Sequence, residues 1–238
     1  MAFGPDPRVV TGQVAVDRVD DGLRAYMLSV YNYMGLGLAI TGVVAFLVAS
    51  SPALYTPIFT TPLKWVVMLA PLGFVFFLSA KIRTMSPSAA QMTFWAFAAV
   101  MGLSLASIFL VFTGASIARV FFITAGTFGA MSLYGYTTKR DLAAWGSFLF
   151  MGLIGIIIAS LVNIFIASSA LQFAISVIGV LVFTGLTAYD TQRIKEMYYE
   201  ADASDVVTRK AIMGALSLYL DFINMFVMLL QLFGTSRN

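Results

Sequence analysis

Two acids stand where this chain is otherwise apolar. Asp221 lies in SLYLDFINMF, inside the otherwise uncharged run from Ala211 to Phe233, and Asp190 closes another apolar run in GLTAYDTQRIKEMY. The other nine of the 11 Asp and Glu fall in tails or loops. Two carboxylates brought close in a poorly solvated site cannot comfortably both ionise, so they share a proton and titrate as a unit. Their oxygens also suit a hard cation such as calcium. Calcium wants about six to eight oxygens, and Asp190, Asp221, Ser217, Asn224 and water would make only a weak, incomplete site. Weak binding suits conduction, since an ion must leave as well as enter.

The position of Asp221 sharpens the point. It follows Ala211 by ten residues, roughly 15 Å along a helix axis, and so lies near the middle of a hydrocarbon layer about 30 Å thick. An Asp there costs about 2.5–3.5 kcal/mol on insertion scales and must face a bundle interior or a wet cavity. Gly214, Ser217, Asp221, Asn224, Met228 and Gln231 recur at alternating steps of three and four, which puts small and polar residues on one helical stripe. Asp190 has Thr187 one turn before it on its own face. Spacing alone also allows a plainer reading of Asp190, as a helix-end acid near the headgroups paired with Arg193 three residues on. For Asp221 the plainer reading is a structural acid satisfied by a neighbouring helix.

Composition confines the chemistry. The chain has 238 residues, 60% of them hydrophobic and 11% charged, with a mean hydropathy of +0.92; soluble domains are about 25% charged. Cys and His are both absent, which removes thiolate and imidazole ligands, disulfides and the usual bases; no cofactor is expected. The net charge of +3 comes from basic residues scattered over short loops rather than gathered on one face, so a nucleic-acid partner is not expected.

The elements that must position the acids are apolar runs punctuated by Pro, Gly and charge clusters. They predict an all-α integral membrane protein in the lipid bilayer, with seven spans at about 28–49, 62–80, 90–112, 118–136, 142–166, 171–192 and 211–233. Residues 1–27 read as a tail with no signal-peptide core, and residues 235–238 as a short outer tail. Eleven of the 14 Lys and Arg fall on one side of this map, with Lys64, Arg119 and Arg237 on the other. The positive-inside rule then places the N-terminus in the cytoplasm and the C-terminus outside. No two glycines are four residues apart. Small residues still cluster, as in Gly35-Leu36-Gly37, Thr124 to Ala130 and Gly152-Leu153-Ile154-Gly155, which suits close packing in lipid.

Three long segments carry a resemblance. TAGTFGAMSLYGYTTKRDL, TGLTAYDTQRIKEM and ALSLYLDFINMFVMLLQLFG closely resemble the bacterial branch of the transmembrane Bax inhibitor motif, or Bax inhibitor-1, family. The resemblance implies a seven-helix bundle whose seventh helix is central between two three-helix layers, residence in the bacterial inner membrane, and a pH-sensitive calcium leak. It pairs Asp190 with Asp221 as the proton-sensing acids of the ion path. It also implies a basic latch at the end of the second span, where LSAKIRTMSPS offers both Lys81 and Arg83; the planar fork of Arg83 suits a carboxylate better.

Other functions use the same residues. A proton-coupled transporter would use the same two acids, and the sequence hardly separates it from a leak. Family resemblance also allows a regulator of an inner-membrane ATP-dependent protease, acting without transport. An intramembrane aspartyl protease would use two acids sharing a proton, but Leu218, Tyr219 and Leu220 stand where that class has a Gly-x-Gly approach, and Pro52-Ala53-Leu54 lies in the first outer loop. An enzyme is therefore not expected.

Overall fold

The computed structural model describes residues 7–237, with side chains described from residue 21 onward. Residues 1–6 of the expected tail, the side chains of residues 7–20 with Arg8 and Arg18 among them, and Asn238 lie outside the described residues.

Eight helices follow one another: α1 (Pro7–Ala49), α2 (Pro52–Thr60), α3 (Leu63–Lys81), α4 (Pro87–Val111), α5 (Gly114–Thr137), α6 (Ala143–Ile166), α7 (Ser169–Glu196) and α8 (Ser204–Phe233). Seven are long and apolar enough to cross a membrane, the first of them over Asp21–Ala49. The addition is α2, a nine-residue helix begun by a proline and containing Pro57. It is too short to register as a span.

Local chemistry starts the long helices. Ser86, Thr113 and Ser168 each accept a hydrogen bond from the backbone N–H three residues on, capping α4, α5 and α7. Before α6, Asp141 Oδ1 accepts from the Ala143 N–H at 2.8 Å, but Leu142 at the cap position offers no side-chain cap. Gln192 of α7 supplies one across the bundle: its Oε1 accepts from the Leu142 N–H at 2.8 Å, and its Nε2 donates to the Arg140 carbonyl at 2.8 Å.

Packing sorts the spans into layers. α4 packs against both α1 and α3, α7 packs against both α5 and α6, and α8 runs between the two groups in contact with α1, α4, α5 and α7. Two thirds of the apolar stretch of α8 (67%) is buried inside the protein, against 17–39% for the other spans, so α8 is the central helix. Outer helices turn large apolar side chains to the lipid, as with Phe165 of α6, which is 89% exposed.

Small residues set the helix spacing at two contacts. A Cβ on Gly102 would fall 2.7 Å from the Thr41 carbonyl, and one on Gly135 would collide with the Ala188 backbone, so α1–α4 and α5–α7 approach as only glycine permits. The clusters noted in the sequence divide. Gly37 and Gly152 lie against Phe94 and Val182, while Gly35, Gly126, Gly129 and Gly155 face open space.

The back of α8 is fixed by Tyr219. Its ring is fully buried and meets Phe97 and Phe94 edge-on at 5.2 Å and 6.1 Å. Thr41 Oγ1 donates to the Ala98 carbonyl at 2.8 Å, so at the 2.6 Å contact with Tyr219 it is the tyrosine hydroxyl that donates. One bond chain thereby joins α8, α1 and α4. Tyr219→Phe should cost about 0.6–1.7 kcal/mol, the range for single hydrogen bonds in membrane bundles. Gly135→Val should cost about 1–3 kcal/mol, because backbone must move. Unfolding in mixed micelles measures both, with the glycine variant expected to be the weaker.

Candidate functional site

α6 packs on α7 and α7 on α8, and the space they share holds a cavity of about 460 Å³. Asp190 and Arg193 of α7, Ser217, Asp221 and Asn224 of α8, and Gly146 and Ser147 of α6 all line it. The front stripe of α8 is therefore its α7-facing side. Gly214 meets Ile194 of α7, the next three polar members line the cavity, and Met228 and Gln231 touch α7 farther along.

The two acids differ in setting. Asp221 is 4% exposed and its Oδ2 is buried without a hydrogen-bond partner; the neighbouring Asn224 directs an amide N–H to the Leu220 carbonyl, at 2.8 Å, and does not bond Asp221. Asp190 is half-buried and lies between the main cavity and a smaller pocket of about 80 Å³ lined also by Arg193, Gly214 and Ser217. That pocket points toward the end of the bundle where Arg193, Lys195, Arg209 and Lys210 gather. A buried carboxylate without a partner is costly, and a roomy cavity with Asp190, Ser217 and Asn224 in its wall is one way to supply it with water.

Arg193 is the basic residue the structure brings to the acids. Among the described residues the ion pair within 4 Å is Lys210–Asp202, so Arg193 stands one turn from Asp190 without closing on it. Lys81 and Arg83 do not line the cavity. Both are exposed at the far end of α3, which packs on α2 and α4, in the opposite layer from α7. Thr187 is also absent from the cavity: it is fully buried and donates to the Phe183 carbonyl at 2.8 Å.

Away from the basic end the stripe is closed. Met228 fills the space beside Gly179, where a Cβ would fall 2.9 Å from its sulfur. Beyond it, Gln231 Oε1 accepts from Gln172 Nε2 at 2.6 Å and from the Ser176 hydroxyl at 2.9 Å. Gln172 Oε1 accepts from Asn163 Nδ2 at 3.1 Å, and Asn163 Oδ1 accepts from the Ser168 N–H at 3.0 Å. This amide chain ties α8 to the α6–α7 turn.

The sequence offered no acid on α6, so its share of the cavity went unread; the small pair Gly146-Ser147 was the available signal. Gly146 is needed because the Tyr189 ring lies where its Cβ would be.

Among the described residues no cluster of three or more His, Cys, Asp or Glu could hold a metal tightly. Two carboxylates, a hydroxyl and an amide oxygen fit a passing cation better than a resident one.

Comparison with known proteins gives a consistent family. Residues 23–238 match the family described as inhibitor of apoptosis-promoting Bax1. The chain is similar to the inner membrane protein YbhL of Escherichia coli strain K12, 51% identical over 219 residues covering 91% of this chain and 94% of that protein. It is equally similar to RP147 of Rickettsia prowazekii, 51% identical over 92% of this chain and 93% of the relative, and 47% identical to a Caulobacter vibrioides protein over 92% of each.

An acid kept in place against stability leaves a signature. Asp221→Asn removes the charge while keeping the shape, and at pH 8, where the charge is dearest, it should raise Tm by about 2–4 °C, a gain of about 1 kcal/mol. Thermal unfolding in detergent reads this out. A fall of several degrees would mean that Asp221 is a structural acid.

Proposed function

The chain belongs to the Bax inhibitor-1 family, and from that premise we propose that it is a pH-sensitive leak for calcium or a similar cation, gated by Asp190 and Asp221 together. The observation that carries the proposal is the shared cavity: both acids line one space of about 460 Å³, and one oxygen of Asp221 has no partner in the protein. A bundle that needed Asp221 only for cohesion would have bonded it to a neighbour.

The mechanism follows from charge. With the pair ionised, the cavity attracts a cation and offers it carboxylate, hydroxyl and amide oxygens. With a proton shared, both the attraction and the pull on Arg193 weaken, and the contact between α7 and α8 changes. Arg193 takes the counter-charge role expected of Lys81 or Arg83, because it already lines the cavity. In this reading the path closes at Met228 against Gly179, an apolar constriction of the kind that gates by excluding water, and the hydrogen-bonded Gln231–Gln172–Asn163 chain holds the helices together beyond it.

The similarity to an inner membrane protein supports an inner-membrane location. The gathering of basic residues at the Asp190 end supports a cytoplasmic site for that end. The proposal requires no enzymatic step and no cofactor, with Ca2+ and H+ as cargo and signal. Modulation of an ATP-dependent membrane protease is the other family role; it needs no cavity and would leave the acids idle.

Reconstituted calcium flux tests the reading. Asp190→Asn and Asp221→Asn each mimic the protonated acid, so each should hold flux near the level wild type reaches when the pair is protonated. Both should flatten its pH dependence, with flux changed at least tenfold at the opposite pH extreme. Met228→Ala should raise basal flux severalfold. Wild-type liposomes that pass no more calcium than empty ones at any pH from 5 to 8 would overturn the leak and favour the regulator.

A further inference from the structure

On the other side of the bundle the two layers do not close. α1 and α5 are bridged by a hydroxyl contact between Tyr31 and Ser132 at 2.6 Å, itself linked to Thr191 of α7 at 2.9 Å, rather than by close helix packing. Outside this bridge runs a groove of about 670 Å³, with Met27 and Leu28 of α1 on one wall and Phe128 and Leu133 of α5 on the other. Leu28 and Leu133 are 53% and 63% exposed, so the groove opens sideways to the acyl chains of the membrane. Gly129 forms part of the wall, and a Cβ there would meet nothing within 4 Å.

One end of the groove is charged. Arg24 is the charged residue in its lining among the described residues, and Tyr136 stands opposite on α5. Lys195 adds a second positive charge beside it, its ammonium 5.3 Å from the Tyr136 ring centre and hydrogen-bonded to the Tyr136 carbonyl at 2.8 Å. No acid lines the groove among the described residues. A second groove of about 280 Å³ on the same seam, lined by Leu38, Phe121 and Phe226, is apolar apart from Thr41 and has no charged residue among those described.

We propose that the Arg24 groove binds one anionic phospholipid, its phosphate on Arg24 and one acyl chain between α1 and α5. The occupant follows from complementarity. The walls match hydrocarbon, and the opening faces hydrocarbon. The cation stands at the basic end of the span, at headgroup level, where interhelical basic pockets select acidic lipids. The site is separate from the aspartate cavity, with the Tyr31–Ser132–Thr191 hydroxyls lying between the layers. A bound chain there completes the contact between α1 and α5 that side chains leave open.

Native mass spectrometry of the delipidated full chain, titrated with phosphatidylglycerol or phosphatidylcholine of equal chain length, tests this. Wild type should bind the anionic lipid about fivefold more tightly, the effect of one interfacial cation. Arg24→Gln should equalise the two lipids while retaining binding. Gly129→Leu, whose Cβ enters open space and whose side chain projects from the groove wall, should reduce binding of both. Arg83→Gln, an exposed arginine at the same end but outside the groove, should keep the preference. Persistence of the preference in Arg24→Gln, equal loss in Arg83→Gln, unchanged binding in Gly129→Leu, or dimers forming in place of lipid adducts would each overturn the proposal. Thermal unfolding of each variant confirms that it is folded.

Discussion

A carboxylate cannot be left in hydrocarbon, and much of this architecture follows from that constraint. Asp221 is near the middle of its helix, so α8 has to be surrounded. Two groups of three helices do the surrounding, and neither could bury an acid alone. The outer helices answer to a different solvent: their Phe, Leu and Ile side chains turn outward because lipid is as apolar as a core. Polarity is therefore inverted relative to a soluble protein, with the costly group at the centre and hydrocarbon outside.

The two sides of α8 are built differently. On one, Tyr219 locks into Phe94, Phe97 and Thr41, a buried aromatic and hydroxyl contact with no room to slide. On the other, glycine, serine, aspartate and asparagine face α7 across a cavity. In the proposed leak, a helix held on one side and loosely apposed on the other is what a change of charge at Asp190 and Asp221 would act on. Polar contacts at both ends of the loose side, Lys210 with the Met197 carbonyl and Gln231 with Gln172, confine that freedom to the middle.

The spans and the central acids were readable because each leaves a one-dimensional mark: twenty apolar residues, or one charge among them. The stripe from Gly214 to Gln231 was readable for the same reason, since period 3.6 is a property of one helix. What escaped required two helices at once. Whether Lys81, Arg83 or Arg193 reaches the acids depends on which layer α3 joins, and no residue of α3 records that. Thr187 lies one turn before Asp190 yet turns into the core, on the side of α7 where Thr191 meets Ser132 of α5. The short α2 was missed for want of length, and the cavity wall on α6 for want of charge.

The centrality of α8 also bears on how the protein is made. It is the last of the seven spans in chain order, so a ribosome delivers both outer groups before the helix that joins them. α1, α3 and α4 have their own contacts, as do α5, α6 and α7, so each group has partners of its own before α8 is made. α8 must then enter between them carrying its acid, trading lipid for protein along most of its length. Its arrival is sealed at the far end, where Thr235 bonds to Ser116 and Thr113, and the Arg237 N–H donates to the Val111 carbonyl. The closing strap on the α4–α5 turn thus forms only after the helix it secures has been made.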